Sequence, residues 1–155
     1  MQEEVFRPVF VYGSLKTGEF NYKRYLDGKV LTVEPKRARI KGKLYDMPYK
    51  GYPALQVEAL SSDWVYGEVV ELLDYETTLS QLDGLEGYYG AEHPANEYER
   101  SIKTVEVWQE RTQEFIAQKA FVYLYRVEND ARFTEQAQAV KDGIWRPSVT
   151  SNTVE

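Results

Sequence analysis

Six apolar, β-rich segments, separated by short breaks and only sparsely mixed with helical signals, constrain this chain more than any other feature. They fall at residues 9–12, 39–45, 54–59, 65–73, 104–108 and 120–127, and are rich in β-branched and aromatic side chains. Residues 120–125 place Ala120, Val122 and Leu124 on one face and Phe121, Tyr123 and Tyr125 on the other. That alternation suits a strand with one face in a core and the other either lining an aromatic-walled space or packed under another element. Helical signals are fewer. Residues 17–26 open on Thr17, which is able to cap a helix, and stop at Asp27-Gly28. A second helix is expected from Asp74 or Glu76 to Glu86, and a third over 134–141 before Asp142-Gly143. Strands rarely alternate with helices, which disfavours a parallel α/β sheet and favours a small, strongly curved or closed sheet with helices at its edges. A chain of 155 residues is expected to form one domain, here 1–145, with 146–155 as a polar tail.

Composition narrows the function classes. The formal net charge is −6, so no electrostatic footprint for nucleic acid or an anionic membrane is present. Thirteen tyrosines would suit a barrel that stacks single-stranded bases, but the charge weighs against that reading. With no cysteine, disulfides, thiolate nucleophiles and cysteine metal sites are excluded. The one histidine, His93, stands beside Pro94 in a loop-like stretch and reads as loop surface. A histidine-rich zinc site is impossible and no calcium-loop spacing occurs. Neither metal nor cofactor is expected. The acidic start Met1-Gln2-Glu3-Glu4 is unlike a signal peptide, and no apolar run approaches the ~20 residues that span a bilayer. A soluble, cytoplasmic protein is expected.

The first strand-like run, Val9-Phe10-Val11, ends abruptly at Tyr12-Gly13-Ser14-Leu15. Two readings stand for this segment. One is a strand followed by an ordinary turn. In the other, Gly13 admits close approach and the amides of Gly13, Ser14 and Leu15 converge on an anion. A second oddity lies in the expected helix ending at Glu86. Leu79, Leu82 and Glu86 fall at i, i+3 and i+7, so the glutamate shares the leucine face, with Gly87 as a stop. Either it curls out to solvent, or it is buried and its pKa rises. Asp83, one turn earlier, is a second carboxylate or only a cap.

With Val9-Phe10-Val11-Tyr12-Gly13-Ser14-Leu15-Lys16, several further pieces occur in order: Asn21, Gly42-Lys43-Leu44-Tyr45, Tyr52-Pro53-Ala54-Leu55, Gly67-Glu68-Val69, Leu82-Asp83-Gly84-Leu85-Glu86-Gly87-Tyr88, Tyr98-Glu99-Arg100 and the strand 120–125. Together they resemble the gamma-glutamylcyclotransferase-like family, and more closely its gamma-glutamylamine cyclotransferase branch, over about residues 9–127. The resemblance implies an α+β fold, a small mixed β-barrel flanked by a few helices with a cavity at one end. It implies that Tyr12, Gly13, Ser14 and Leu15 hold the substrate and that Glu86 is the catalytic acid–base. It further implies release of 5-oxoproline and a free amine from a small-molecule γ-glutamyl amide or peptide. One departure is His93-Pro94-Ala95-Asn96-Glu97, which lengthens the stretch between Tyr88 and Tyr98 near the cavity mouth and bears on which leaving group fits.

In that reaction the substrate's α-amine attacks its own γ-carbonyl, so no serine, cysteine or metal is required. Glu86 takes the amine's proton and returns one to the leaving amine. At its reference pKa of ~4.3 a glutamate is a poor base for an ammonium near ~8, a gap of roughly 5 kcal/mol that burial would narrow. The Gly13–Leu15 amides hold either the α-carboxylate or the oxyanion. Tyr98, Arg100, Tyr123 and Tyr125 remain outside the expected site, with Arg100 expected to pair with Glu97 or Glu99. A non-catalytic ligand binder of the same fold is the alternative function.

Overall fold

Alternation along each strand sorts the side chains of this protein into two cores. In the computed structural model, which describes residues 6–31, 36–58 and 60–147, seven strands form one sheet. They are β1 (Val9–Val11), β2 (Lys36–Met47), β3 (Tyr52–Val57), β4 (Trp64–Val70), β5 (Tyr98–Gln109), β6 (Glu114–Tyr125) and β7 (Gln138–Ala139). The helices are α1 (Phe20–Tyr25), α2 (Tyr75–Glu86) and α3 (Phe133–Gln136). Neighbours run β2-β4-β1-β6-β5, and β5 returns to β2 through Ala38↔Val107 and Arg39↔Glu106, closing a five-stranded barrel. Strands β1 and β6 are parallel while the other barrel pairs are antiparallel, so the barrel is mixed, as expected.

Strand β2 serves two structures. Its first half pairs with β4 in the barrel, and residues 42–47 leave the barrel to pair with β3. Phe10, Ile40, Val65, Val69, Val105, Val107 and Val122 point inward and fill the barrel. Val9, Val11, Val70, Tyr98 and Tyr123 point outward, where Leu79 and Leu82 of α2 and Leu26 cover them. The aromatic face expected for residues 120–125 is therefore real: Ala120 and Val122 sit in the barrel, Tyr123 and Tyr125 in the outer layer.

Several boundaries differ from the sequence expectations. Thr17 does not cap a helix; its amide and hydroxyl both donate to Glu68 Oε1, at 2.8 and 3.0 Å, and α1 starts only at Phe20. The third helix stops at Gln136, because the backbone of 138–139 pairs with Tyr45 and Asp46 of β2 instead. The β5–β6 hairpin is far longer than its apolar centre, since polar residues on its outer face (Thr104, Gln118 and Lys119 exposed, Lys103 and Glu106 half-buried) dilute the apolar signal. Arg146 and Pro147 are exposed and outside regular structure; the rest of the expected tail, 148–155, lies outside the described residues, as do Met1-Gln2-Glu3-Glu4. Among the described residues no helix is long and apolar enough to cross a membrane.

Candidate active site

Strand β1 delivers its C-terminal end to an open cavity, and the end of α2 lines the same space. Tyr12, Gly13, Ser14, Leu15 and Glu86, separated by 71 positions in sequence, all line this one space. The loop after β1 is held by its own hydrogen bonds. Lys16 N donates to Gly13 O at 3.0 Å, Asn21 N donates to Ser14 O at 2.9 Å, and Asn21 Nδ2 reaches Ser14 Oγ at 2.7 Å. Among the described residues, none of the amides of Gly13, Ser14 and Leu15 donates to a protein acceptor. The segment is a hydrogen-bonded turn from Gly13 to Lys16, and its three amides without a protein acceptor leave room for the anion-holding reading as well.

The reason for glycine at position 13 is different from the one expected. Gly13 does not adopt a left-handed φ, and a Cβ there would stand 2.8 Å from Cγ and 3.0 Å from Cδ of Pro53. The close neighbour is the Pro53 ring of β3, which shares the cavity wall. Tyr12 is fixed by donating from its hydroxyl to Tyr123 O at 2.6 Å.

Helix α2 buries Leu79 and Leu82 and ends at Glu86 because Gly87 turns left-handed (φ 67°). Tyr88 N returns to Asp83 O at 2.9 Å and closes that end. Glu86 thus lies on the leucine face, surrounded by protein except where it meets the cavity. Its carboxyl has no hydrogen-bond or ion-pair partner among the described residues. Burial pushes it up to about 8, and the nearby Glu97 and then Asp83 add repulsion. The phenols of Tyr12 and Tyr98 are raised too, first by burial, so they stay un-ionised walls.

The sequence reading left Asp83 open and misplaced the partner of Arg100. Asp83 ties the helix to the sheet: its two oxygens accept from Tyr123 OH at 2.7 Å and from Arg100 Nη1 at 2.5 Å. Arg100 therefore pairs across to α2, not with Glu97 or Glu99, and lies over the rings of Tyr88 and Phe121. Glu97, in contrast, lines the cavity, as do Tyr52, Tyr98 and Tyr123. Glu97 Oε2 accepts from Tyr52 OH at 2.5 Å and from Lys50 Nζ at 3.0 Å. Tyr123 was marked by the alternation of residues 120–125, and Tyr52 and Tyr98 stood in the family pieces, but no signal singled out Glu97 or Lys50. His93 is exposed, as expected, and its Nδ1 accepts from Ala95 N. No group of three or more His, Asp or Glu residues is placed to hold a metal ion among the described residues.

The model of the family described as gamma-glutamyl cyclotransferase, AIG2-like, matches residues 9–147. The gamma-L-glutamyl-butirosin B gamma-glutamyl cyclotransferase of Niallia circulans is 38% identical over 101 residues, 64% of this chain, and the match spans 59% of that relative's length. An AIG2-like protein from Mus musculus superposes with a TM-score of 0.66 at 22% identity, over 92% of this chain and 90% of the mouse one. YkqA from Bacillus subtilis gives 0.58 at 21% identity, over 90% of this chain and 39% of its own. At those identities the two solved structures share the fold.

Proposed function

Since the chain belongs to the gamma-glutamyl cyclotransferase, AIG2-like family, we propose that it cyclises a γ-glutamyl amide, releasing 5-oxoproline and a free amine, with Glu86 as the general acid–base. One observation carries this reading: a half-buried carboxyl with no partner among the described residues shares one cavity with three backbone amides that also lack a protein acceptor.

The chemistry follows from that arrangement. The substrate's nucleophile and electrophile belong to one molecule, and intramolecular reactions held in a productive geometry reach effective molarities of ~10⁵–10⁸ M. The enzyme must fold the γ-glutamyl group back on itself and manage two proton transfers. The Gly13, Ser14 and Leu15 amides anchor an anionic oxygen at one end. At the other, ionised Glu86 takes a proton from the α-ammonium as the amine attacks the γ-carbonyl. The tetrahedral intermediate then breaks its bond to the leaving nitrogen, which receives that proton from Glu86; the carboxylate so restored takes the remaining proton from the ring nitrogen and passes it to the expelled amine, leaving a neutral lactam and an ammonium. Burial supports the first transfer: with Glu86 near 8, the mismatch against an α-ammonium of ~7.7–8.0 largely disappears. The nearby phenols, which stay un-ionised, and the buried Leu15 limit water around the reacting atoms.

A panel of γ-glutamyl amides and peptides, read as 5-oxoproline release, tests the reading. At least one compound is turned over, and Glu86→Gln lowers its kcat/KM by at least ~100-fold while keeping the shape of the side chain. Binding of 5-oxoproline without turnover of any γ-glutamyl compound would instead identify a ligand-binding protein. A Gln variant as active as wild type removes Glu86 from the chemistry.

A further inference from the structure

Glu97 is the one residue that lines both the cavity and a second, more open groove beside it. The groove, about 610 Å³, is walled by Lys50, the 94–97 segment, Tyr125, Arg126 and Asn129. This is the stretch between Tyr88 and Tyr98 that bears on leaving-group fit. It is built rather than loose. Glu97 N donates to Gly87 O at 3.0 Å and Arg126 N to Glu97 O at 2.9 Å. Asn96, fully buried, uses Oδ1 for Tyr89 N and Nδ2 for Gly90 O and Glu99. The backbone bond to Gly87 fixes Glu97 next to the helix end that carries Glu86.

The two oxygens of Glu97 differ. Oε2 is taken by Lys50 and Tyr52, whereas Oε1 has no partner among the described residues. Oε1 lies on the side of Gly87, 3.6 Å from where a Cβ on that residue would stand. The cations of the groove are already matched, Lys50 by Glu97 and Arg126 by Glu99 and Glu128. Asp130 adds a further carboxylate behind Tyr125. A cation entering from the cavity therefore meets a fixed, half-occupied carboxylate, while an anion meets no free one of its counterions. Glu97 lines the same cavity as Glu86, from which the proposed reaction expels its amine.

We infer that Glu97 selects leaving amines that carry a second positive charge, and that the groove beyond it takes the body of that amine. This deepens, and rests on, the cyclotransferase reading above. The test compares two γ-glutamyl amides of equal length, one of 1,5-diaminopentane and one of n-hexylamine, which differ by a terminal ammonium in place of methyl. Wild-type kcat/KM favours the diamine compound by at least ~10-fold, about 1.4 kcal/mol. Glu97→Gln brings that ratio to within about threefold. The ratio cancels any effect of Glu97 on the proton affinity of Glu86, because both substrates share that step. A second readout needs no variant: free 1,5-diaminopentane inhibits the wild-type protein at lower concentration than n-hexylamine does. Equal turnover of the two amides, or a preference that survives Glu97→Gln, overturns the inference and leaves the cyclotransferase reading standing. An equal loss on both amides in Glu97→Gln assigns Glu97 to the γ-glutamyl head instead and also overturns it. No 5-oxoproline from both amides while another panel member is turned over overturns the inference alone, and none from both amides and every member of the panel overturns both readings.

Discussion

A desolvated carboxyl with no partner is unfavourable to the folded state, and half-buried Glu86 carries that burden at the proposed site. Folding raises its pKa from 4.5 to about 8, so over that window the folded protein binds a proton that the unfolded chain releases. Stability contributed by this group is therefore unaffected below about pH 4.5, declines as pH rises, and reaches its full deficit above about pH 8. The ceiling is about 5 kcal/mol at 1.36 kcal/mol per pKa unit, lowered by water in the cavity. Glu86→Gln, which lacks the titration, is thus more stable than wild type at pH 9 and near parity at pH 4.5, as urea midpoints at the two values measure. A gap of the same size at both values would refute the burial account. Activity runs the opposite way: wild-type kcat/KM falls as pH drops through about 8, because protonated Glu86 cannot accept the α-amine's proton. Stability and the proposed activity pull against each other at one atom.

At the scale of the element, α2 is a device for aiming Glu86. Its leucines bury one face, Asp83 ties it to Tyr123 and Arg100 on the sheet, and Gly87 ends it by a left-handed turn. Two glycines three positions apart make opposite demands. A Cβ at Gly84 meets nothing within 4 Å, whereas one at Gly87 requires φ 67° and approaches Glu97 Cβ to 3.1 Å. Gly84→Ala therefore stabilises the protein by about 0.5–1 kcal/mol and leaves kcat/KM near the wild-type value. Gly87→Ala costs about 1–2 kcal/mol. It also displaces the Glu86–Glu97 pair, lowering kcat/KM about 10-fold or more. Thermal unfolding and kinetics on the pair of variants check both signs. Residues 75–86 were legible in sequence because the apolar spacing and the glycine stop are local signals. Arg100 was not, because two nearer carboxylates, Glu97 and Glu99, competed in sequence with the one that wins in space.

For the whole molecule, the segment beyond Val127, on which the family resemblance was silent, turns out to belong to the barrel. After β7, Val140 N donates to Leu44 O and Gly143 O accepts from Tyr66 N, and Trp145 is buried among the inward residues of the barrel. Trp145 is 1% exposed, donates from Nε1 to Asp46 Oδ1 at 2.9 Å, and its carbonyl accepts from Lys16 Nζ at 2.9 Å. That last bond ties the plug to the loop that follows β1. Trp145→Ala leaves a cavity and costs about 3–5 kcal/mol, seen as a large drop in Tm. A change under 1 kcal/mol would show that the barrel is sealed without it. The helical pattern of 134–141 misled because its backbone gains more by pairing with the free edge of β2 than by extending a four-residue helix.

The sequence by itself determined the parts governed by neighbours along the chain: a strand stopping at Tyr12-Gly13, a helix whose leucine face carries Glu86, and a strand-rich chain bound to close on itself. Tertiary structure alone decided that these two ends line one cavity, that Pro53 rather than a ligand demands Gly13, and that Glu97, Lys50 and Tyr52 converge beside Glu86. Apart from Glu86 and Glu97, which are eleven positions apart, those contacts join positions about 40 or more residues apart, and no local period encodes them. They exist because closing the barrel and burying two apolar faces fixes where every strand end must lie.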